Sequence, residues 1–255
     1  MKSSLMGAIA LGLCMADPAA AELTASLGLE YLRWEEDITP AVTETGPLLA
    51  FGLGYTQDKE SGLLLAYRGR AYIGDVDYEG AGLFTGTPIS GTSRYTGMAN
   101  EGQLRWRTQI KQNYRLDALL AVGIDFWERK LSSIQSEDYE IGYLRLGGEM
   151  AINQGEGWTA GVGVKYPFHT REDAHLTNIG FDRNPALKPS PDVSLFAHLG
   201  YRFTDKISVI GYYDGYRFKK SQEEAVNHPF TGPGVVYQPA SDLSILGVRL
   251  EYRIK

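Results

Sequence analysis

Apolar and polar residues alternate one by one through most of this chain, and that period of two restricts its fold more than any other feature. In the stretch LTASLGLEY, Leu23, Ala25, Leu27, Leu29 and Tyr31 share one face, and Thr24, Ser26, Gly28 and Glu30 share the other. Successive side chains point to opposite sides in an extended strand, so the stretch predicts a β-strand. The pattern returns nine more times. Clear cases are Leu49 to Tyr55, Leu116 to Phe126, Trp158 to Phe168 and Leu246 to Ile254; only the ninth segment, ISVIGYYDGYRF, is ambiguous in parity.

A water-soluble sandwich and a membrane barrel both alternate, and the polar faces separate them. One face is nearly free of charge and carries aromatics near the strand ends: Tyr31, Phe126, Tyr166 and Phe168 at one end, Tyr55, Tyr201, Phe203 and Tyr252 at the other. The opposite face collects glycines, arginines and carboxylates. That describes a lipid-facing exterior with two interfacial girdles around a polar lumen. Short links follow the even strands and longer ones the odd strands. The expected fold is an all-β transmembrane antiparallel barrel of about 10 strands, with short periplasmic turns and long extracellular loops at 37 to 46, 76 to 95, 130 to 138, 171 to 190 and 220 to 240. Its lumen is narrow. The inward faces place Arg68, Arg70, Arg105, Arg107, Arg145 and Lys165 beside Glu30, Glu101, Asp117, Asp125 and Glu149, and buried charges persist only when paired. An interlocked plug is therefore the expectation, with a conducting pore as its rival.

Residues 1 to 21, MKSSLMGAIALGLCMADPAAA, read as a secretory signal peptide: Lys2, an apolar stretch from Leu5 to Ala16, then small residues before Glu22. Residues 22 to 255 then form a single barrel domain in the outer membrane. Cys14 is the only cysteine and falls in the leader, so neither disulfides nor thiolate metal sites are expected in the mature chain. The net charge of −6 and the scatter of Lys and Arg argue against a nucleic-acid partner.

Two motifs near the predicted loops could carry chemistry. GDVDYEG sets Asp75 and Asp77 at i and i+2, and REDAHL sets Asp173 and His175 at the same spacing. An Asp can orient a His that activates water, and two close carboxylates can share a proton or position that water. Strict alternation turns Asp75 and Asp77 outward unless a bulge near Gly74 intervenes, whereas His169, Asp173 and His175 keep inward parity if the seventh strand runs on. The plain alternatives are solvated loop carboxylates and a polar loop histidine. A metal held by His169, Asp173 and His175 lacks a third strong ligand, so no metal is expected.

Taken with the ten-strand topology, these two motifs resemble the omptin family of outer-membrane endopeptidases, which joins an Asp-x-Asp of the second outer loop to an Asp-x-His of the fourth. NYRL at 113 to 116 is also similar. Phe126, Glu128 and Lys130 resemble part of the omptin lipopolysaccharide site. The resemblance implies a surface endopeptidase in which His175, oriented by Asp173, activates water beside Asp75 and Asp77, with lipopolysaccharide as an activating lipid and no other cofactor. An acidic rim of Glu35, Glu36, Glu79, Glu137, Asp138, Glu223 and Glu224 would draw cationic peptides or proteins, though it suits simple solubility equally. The alternative function is a non-catalytic barrel: an adhesin, a structural protein or a narrow solute pore.

Overall fold

A computed structural model describes residues 21 to 82, 86 to 111, 113 to 152 and 156 to 254. The leader read at 1 to 21 lies, but for Ala21, outside the described residues. The strands in chain order are β1 (Ala21–Glu36), β2 (Val42–Gln57), β3 (Gly62–Ala81), β4 (Pro88–Lys111), β5 (Tyr114–Lys130), β6 (Ser136–Ile152), β7 (Gly157–Asp173), the short β8 (Ala186–Leu187) and β9 (Ser190–Asp192), β10 (Ser194–Arg202), β11 (Ile207–Lys219), β12 (Glu224–His228), β13 (Gly232–Val236) and β14 (Ser241–Arg253). Each of β1 to β7 pairs with the next. Strand β7 pairs with β10, β10 with β11, β11 with β14 and β14 with β1, all antiparallel. Ten strands thus close into a barrel with no free edge, the arrangement in which every ladder group finds a partner. Strands β12 and β13 form a separate hairpin.

The predicted parity holds across the middle of the wall. Leu27, Leu29, Phe51, Leu53, Leu146 and Val248 are half exposed or more on the outer face, and Leu120 nearly so. Their inward neighbours Glu30, Ala50, Ala121 and Arg145 are buried. On β5 the outward apolar run from Leu116 to Phe126 spans about 33 Å along the strand, or about 25 Å once tilted by ~40°, the height of a hydrocarbon layer. At the lower edge of this belt Tyr201 stacks edge-on between Trp158 and Phe203, with centroids 4.9 and 4.8 Å away.

Above the belt the strands continue, and there the outward residues become charged: Arg33 and Glu35 on β1, Asp75 and Asp77 on β3, Arg94 on β4, Glu128 and Lys130 on β5, Asp138 on β6. The expected loop at 76 to 95 is therefore mostly strand, and only residues 82 to 87 connect β3 to β4. Beyond hydrocarbon the outer face need not be apolar, so DVDYEGA alternates in the opposite sense, with Asp75, Asp77 and Glu79 outward and Val76 buried inward, and its backbone is paired throughout.

Parity departs from expectation in β7. The β6 to β7 register runs Gly142 opposite His169 and then Tyr143 opposite Pro167, leaving Phe168 as an extra residue. This bulge turns Phe168 and His169 outward together and brings Thr170 and Glu172 inward. His169, Asp173 and His175 consequently leave the lumen face predicted for them.

Candidate functional site

At Asp75 and Asp77 the outward parity persists. The β2 to β3 register is the same on both sides of Gly74, from Leu49 opposite Ile73 to Thr45 opposite Asp77, so no bulge turns the pair inward. Gly74 serves close approach instead: a Cβ there would press on the Pro47 carbonyl and on Leu48. Asp75 accepts two hydrogen bonds from Arg94, at 2.7 and 2.9 Å, and this contact above the belt holds its carboxyl below the usual range. Asp77 is exposed beside Thr45 and Thr92.

Asp173 and His175 do meet, with a third member that sequence reading had placed only on the acidic rim. His175 Nε2 lies 3.0 Å from Asp138 Oδ2 on β6, its Nδ1 lies 3.7 Å from Asp173 Oδ1, and its backbone N–H donates to Asp173 Oδ1 at 3.1 Å. His175 adopts φ 46° and opens the 3-10 turn Leu176–Ile179, so its ring folds back onto the outer wall. From β3 to β7 is four strand spacings, about 19 Å of wall. The two dyads face outward on separate sectors and do not converge on one water. His169 sits 3.6 Å from Glu140 on the same outer face. Among the described residues no cluster of His, Cys, Asp and Glu is arranged to hold a metal.

Phe126, Glu128 and Lys130 run in line up the outer face of β5, from belt to charged collar, with Lys130 level with Arg94 on β4.

The densest buried chemistry lies inside the mouth. Arg129 Nη1 contacts Glu36 at 3.1 Å and Glu137 at 2.9 Å, and its Nε contacts Glu44 at 2.9 Å. Ser93 and Tyr95 donate to Glu44, Tyr139 to Glu137, and Trp34 Nε1 to Glu36. Glu172, fully enclosed and above the belt, has its carboxyl pushed well above the ordinary range by burial and then by Glu137 and Glu36. Around this group Trp34, Tyr95, Trp127, Tyr139, Tyr216 and Phe218 form a continuous packed core, with Trp127 stacked on Tyr139 at 5.0 Å. Over it the long loops touch one another, where Leu176 and Ala174 meet Val226. Glu36 and Glu137, read as rim carboxylates, are thus core residues. Carrying the parity of Trp34 one step further would have found Glu36. Glu172 was hidden by the bulge.

Lower down, most of the inward charges expected to form a network do pair, Arg70 with Glu30, Arg145 with Glu101, Arg107 with Asp117 and Arg105 with Glu149, whereas Arg68 has no ion-pair partner among the described residues. Asp214, on the strand of ambiguous parity, joins Arg145 to Lys165. Beneath this layer a cavity of about 400 Å³ extends to the short-turn rim.

The ring closure, the belt and the two unequal rims define the class: a closed ten-strand barrel of the outer-membrane kind. The sequence matches no known family and no curated relative. Among solved structures, the outer-membrane protease OmpT from Escherichia coli superposes with a TM-score of 0.50 at 9% identity, over 91% of this chain and 97% of that one. The translocator domain of the autotransporter NalP from Neisseria meningitidis gives 0.43 at 12%, over 95% and 91%. A FadL homologue from Pseudomonas aeruginosa gives 0.37 at 9%, over 92% and 91%. The likeness to OmpT shows the fold alone, and the two lower scores carry no argument.

Proposed function

We propose that the chain is an integral outer-membrane barrel with a sealed lumen, non-catalytic, whose outer collar binds lipopolysaccharide through Phe126, Lys130 and Arg94. The observation that carries this reading is the packed layer of Arg129, its carboxylates and the aromatics across the mouth side of the lumen. Buried and closely packed, that layer supports a closed mouth rather than an aqueous path or a peptide cleft. The apolar belt supports residence in a bilayer, because a water-soluble protein rarely exposes so large a contiguous apolar surface. The rival peptidase reading rests on the OmpT-like fold and on the contact between Asp173 and His175, and it needs Asp75 and Asp77 beside that histidine.

Refolded protein with lipopolysaccharide, offered a peptide rich in Arg and Lys, is expected to cleave nothing, and planar bilayers are expected to show no steady conductance. Cleavage that disappears in His175→Ala would restore the peptidase reading. A steady single-channel current would restore the pore.

A further inference from the structure

The cavity at the short-turn end of the lumen has walls of two opposite kinds. On β1 and β2 the inward residues are Thr24, Ser26, Gly28, Gly52 and Gly54, which are small and leave the space open. Arg249 on β14 and Arg68 on β3 flank them on the two adjacent strands, opposite Gly28 and Gly54 in register, and the rest of the lining mixes arginines with carboxylates such as Glu101 and Glu251. Most arginines of the lower lumen have a carboxylate, but Arg68 has none within ion-pair distance among the described residues, and Arg249, Arg105 and Arg145 as well as Glu101 act strongly on it. Arg249 has one longer contact, 3.5 Å to Glu251. Arg145 also lines the space, is 7% exposed, and its Nε–H finds no acceptor.

We propose that this cavity binds a small oxyanion with more than one charge, a phosphate or a dicarboxylate, held by Arg68 and Arg249 with Thr24 and Ser26 as neutral donors. Planar guanidinium groups suit bidentate oxyanions. A volume of about 400 Å³ falls in the range of small-molecule sites. Like charges crowded around Arg68 are unfavourable in the empty barrel and become favourable once an anion sits among them. The ligand enters from the short-turn rim, where Gln57, Lys59 and Arg253 line the cavity together with Glu22, Asp58 and Glu60, Arg253 being paired with Glu22 at 2.8 Å. The site stands whether or not the opposite end is sealed.

Calorimetry on the refolded full barrel at low ionic strength, titrated separately with inorganic phosphate, succinate and chloride, tests this. Phosphate or succinate is expected to bind one to one and to raise the melting midpoint, and chloride at matched ionic strength is not. Arg68→Gln is expected to weaken the bound anion by about tenfold or more and, because it relieves repulsion, to melt no lower than wild type without ligand. Arg33→Gln, on the outer wall, should bind as wild type does. Absence of binding by wild type at millimolar anion, equal binding by Arg68→Gln, or equal effects of chloride would each overturn the site. The preference between phosphate and succinate identifies the ligand chemistry.

Discussion

His175 Nε2 stands 3.0 Å from Asp138 Oδ2 on the outer wall, and Asp173, the last residue of β7, completes a small cluster that faces solvent. Asp138 is 59% exposed and His175 29%. Pairs as exposed as this contribute about 0 to 1 kcal/mol, so Asp138→Asn is expected to shift urea unfolding in detergent by less than about 1 kcal/mol. A larger loss would mean that the cluster organises the loop above it.

Arg129 is a different case, because Glu36, Glu44 and Glu137 all depend on it. Removing one partner of a buried ion pair costs about 3 to 5 kcal/mol, since the remaining charge is left uncompensated. Arg129→Met is expected to lose at least that much or to fail to refold, whereas adding Glu44→Gln and Glu137→Gln to it should recover part of the loss. If the triple variant is no more stable than Arg129→Met, packing rather than charge explains the damage.

Glu172 sets the pH dependence of the same region. Its folded carboxyl is raised above the unfolded one, by burial first and then by Glu137 and Glu36. The folded state therefore holds the proton more tightly. The contribution is fully present below the unfolded carboxylate range, about pH 4.3, and is lost as pH rises through the folded value. Glu172→Gln keeps the shape without the charge, so its melting midpoint should exceed that of wild type at neutral and alkaline pH and converge with it near pH 4. A constant gap across that window would show that the proton is not the cause.

The ten strands could be read because hydrocarbon forces one face of each to be apolar, and the same requirement explains where reading stopped. Above the belt the outer face turns charged while the inner face keeps Trp34, Val76 and Tyr95, so the apolar-outward signal ends and Asp75 and Asp77 read as a loop although they continue β3 in unbroken register. Phe168 carries no signal that it is an extra residue, yet it moves Asp173 outward and Glu172 inward. The two motifs were visible as sequence; whether they shared a site depended on those local shifts. The Arg129 group was the converse, a buried cluster whose members are scattered over four strands and form no motif.

Rings laid over glycines fix the inner packing, and they invert the usual effect of a Gly to Ala change. Tyr72 covers Gly97, Tyr143 covers Gly123 and Tyr212 covers Gly247, each across a strand pair. A Cβ at Gly123 would fall within the Tyr143 ring, which packs on Tyr216 at 5.9 Å. Alanine in a strand is ordinarily preferred to glycine by roughly 0.5 to 1 kcal/mol, but overpacking costs about 1 to 3 kcal/mol. Gly123→Ala is expected to destabilise, and Gly123→Ala with Tyr143→Leu to recover. Gly102, whose Cβ position is open, should tolerate alanine.

Leu120 tests the bilayer itself. It projects outward near the middle of the β5 belt and is 48% exposed, whereas Glu128 projects from the same face above it. An arginine at the bilayer midplane of a barrel costs about 2 to 4 kcal/mol, falling to about 0 to 1 near the interface. Refolding into lipid vesicles should therefore penalise Leu120→Arg by that larger amount and Glu128→Arg by little. In urea-free detergent micelles, where the side chain reaches water easily, the difference should shrink. Equal penalties at the two positions in vesicles would place the hydrocarbon layer elsewhere on the wall, and a negligible penalty at Leu120 would mean that this face meets water.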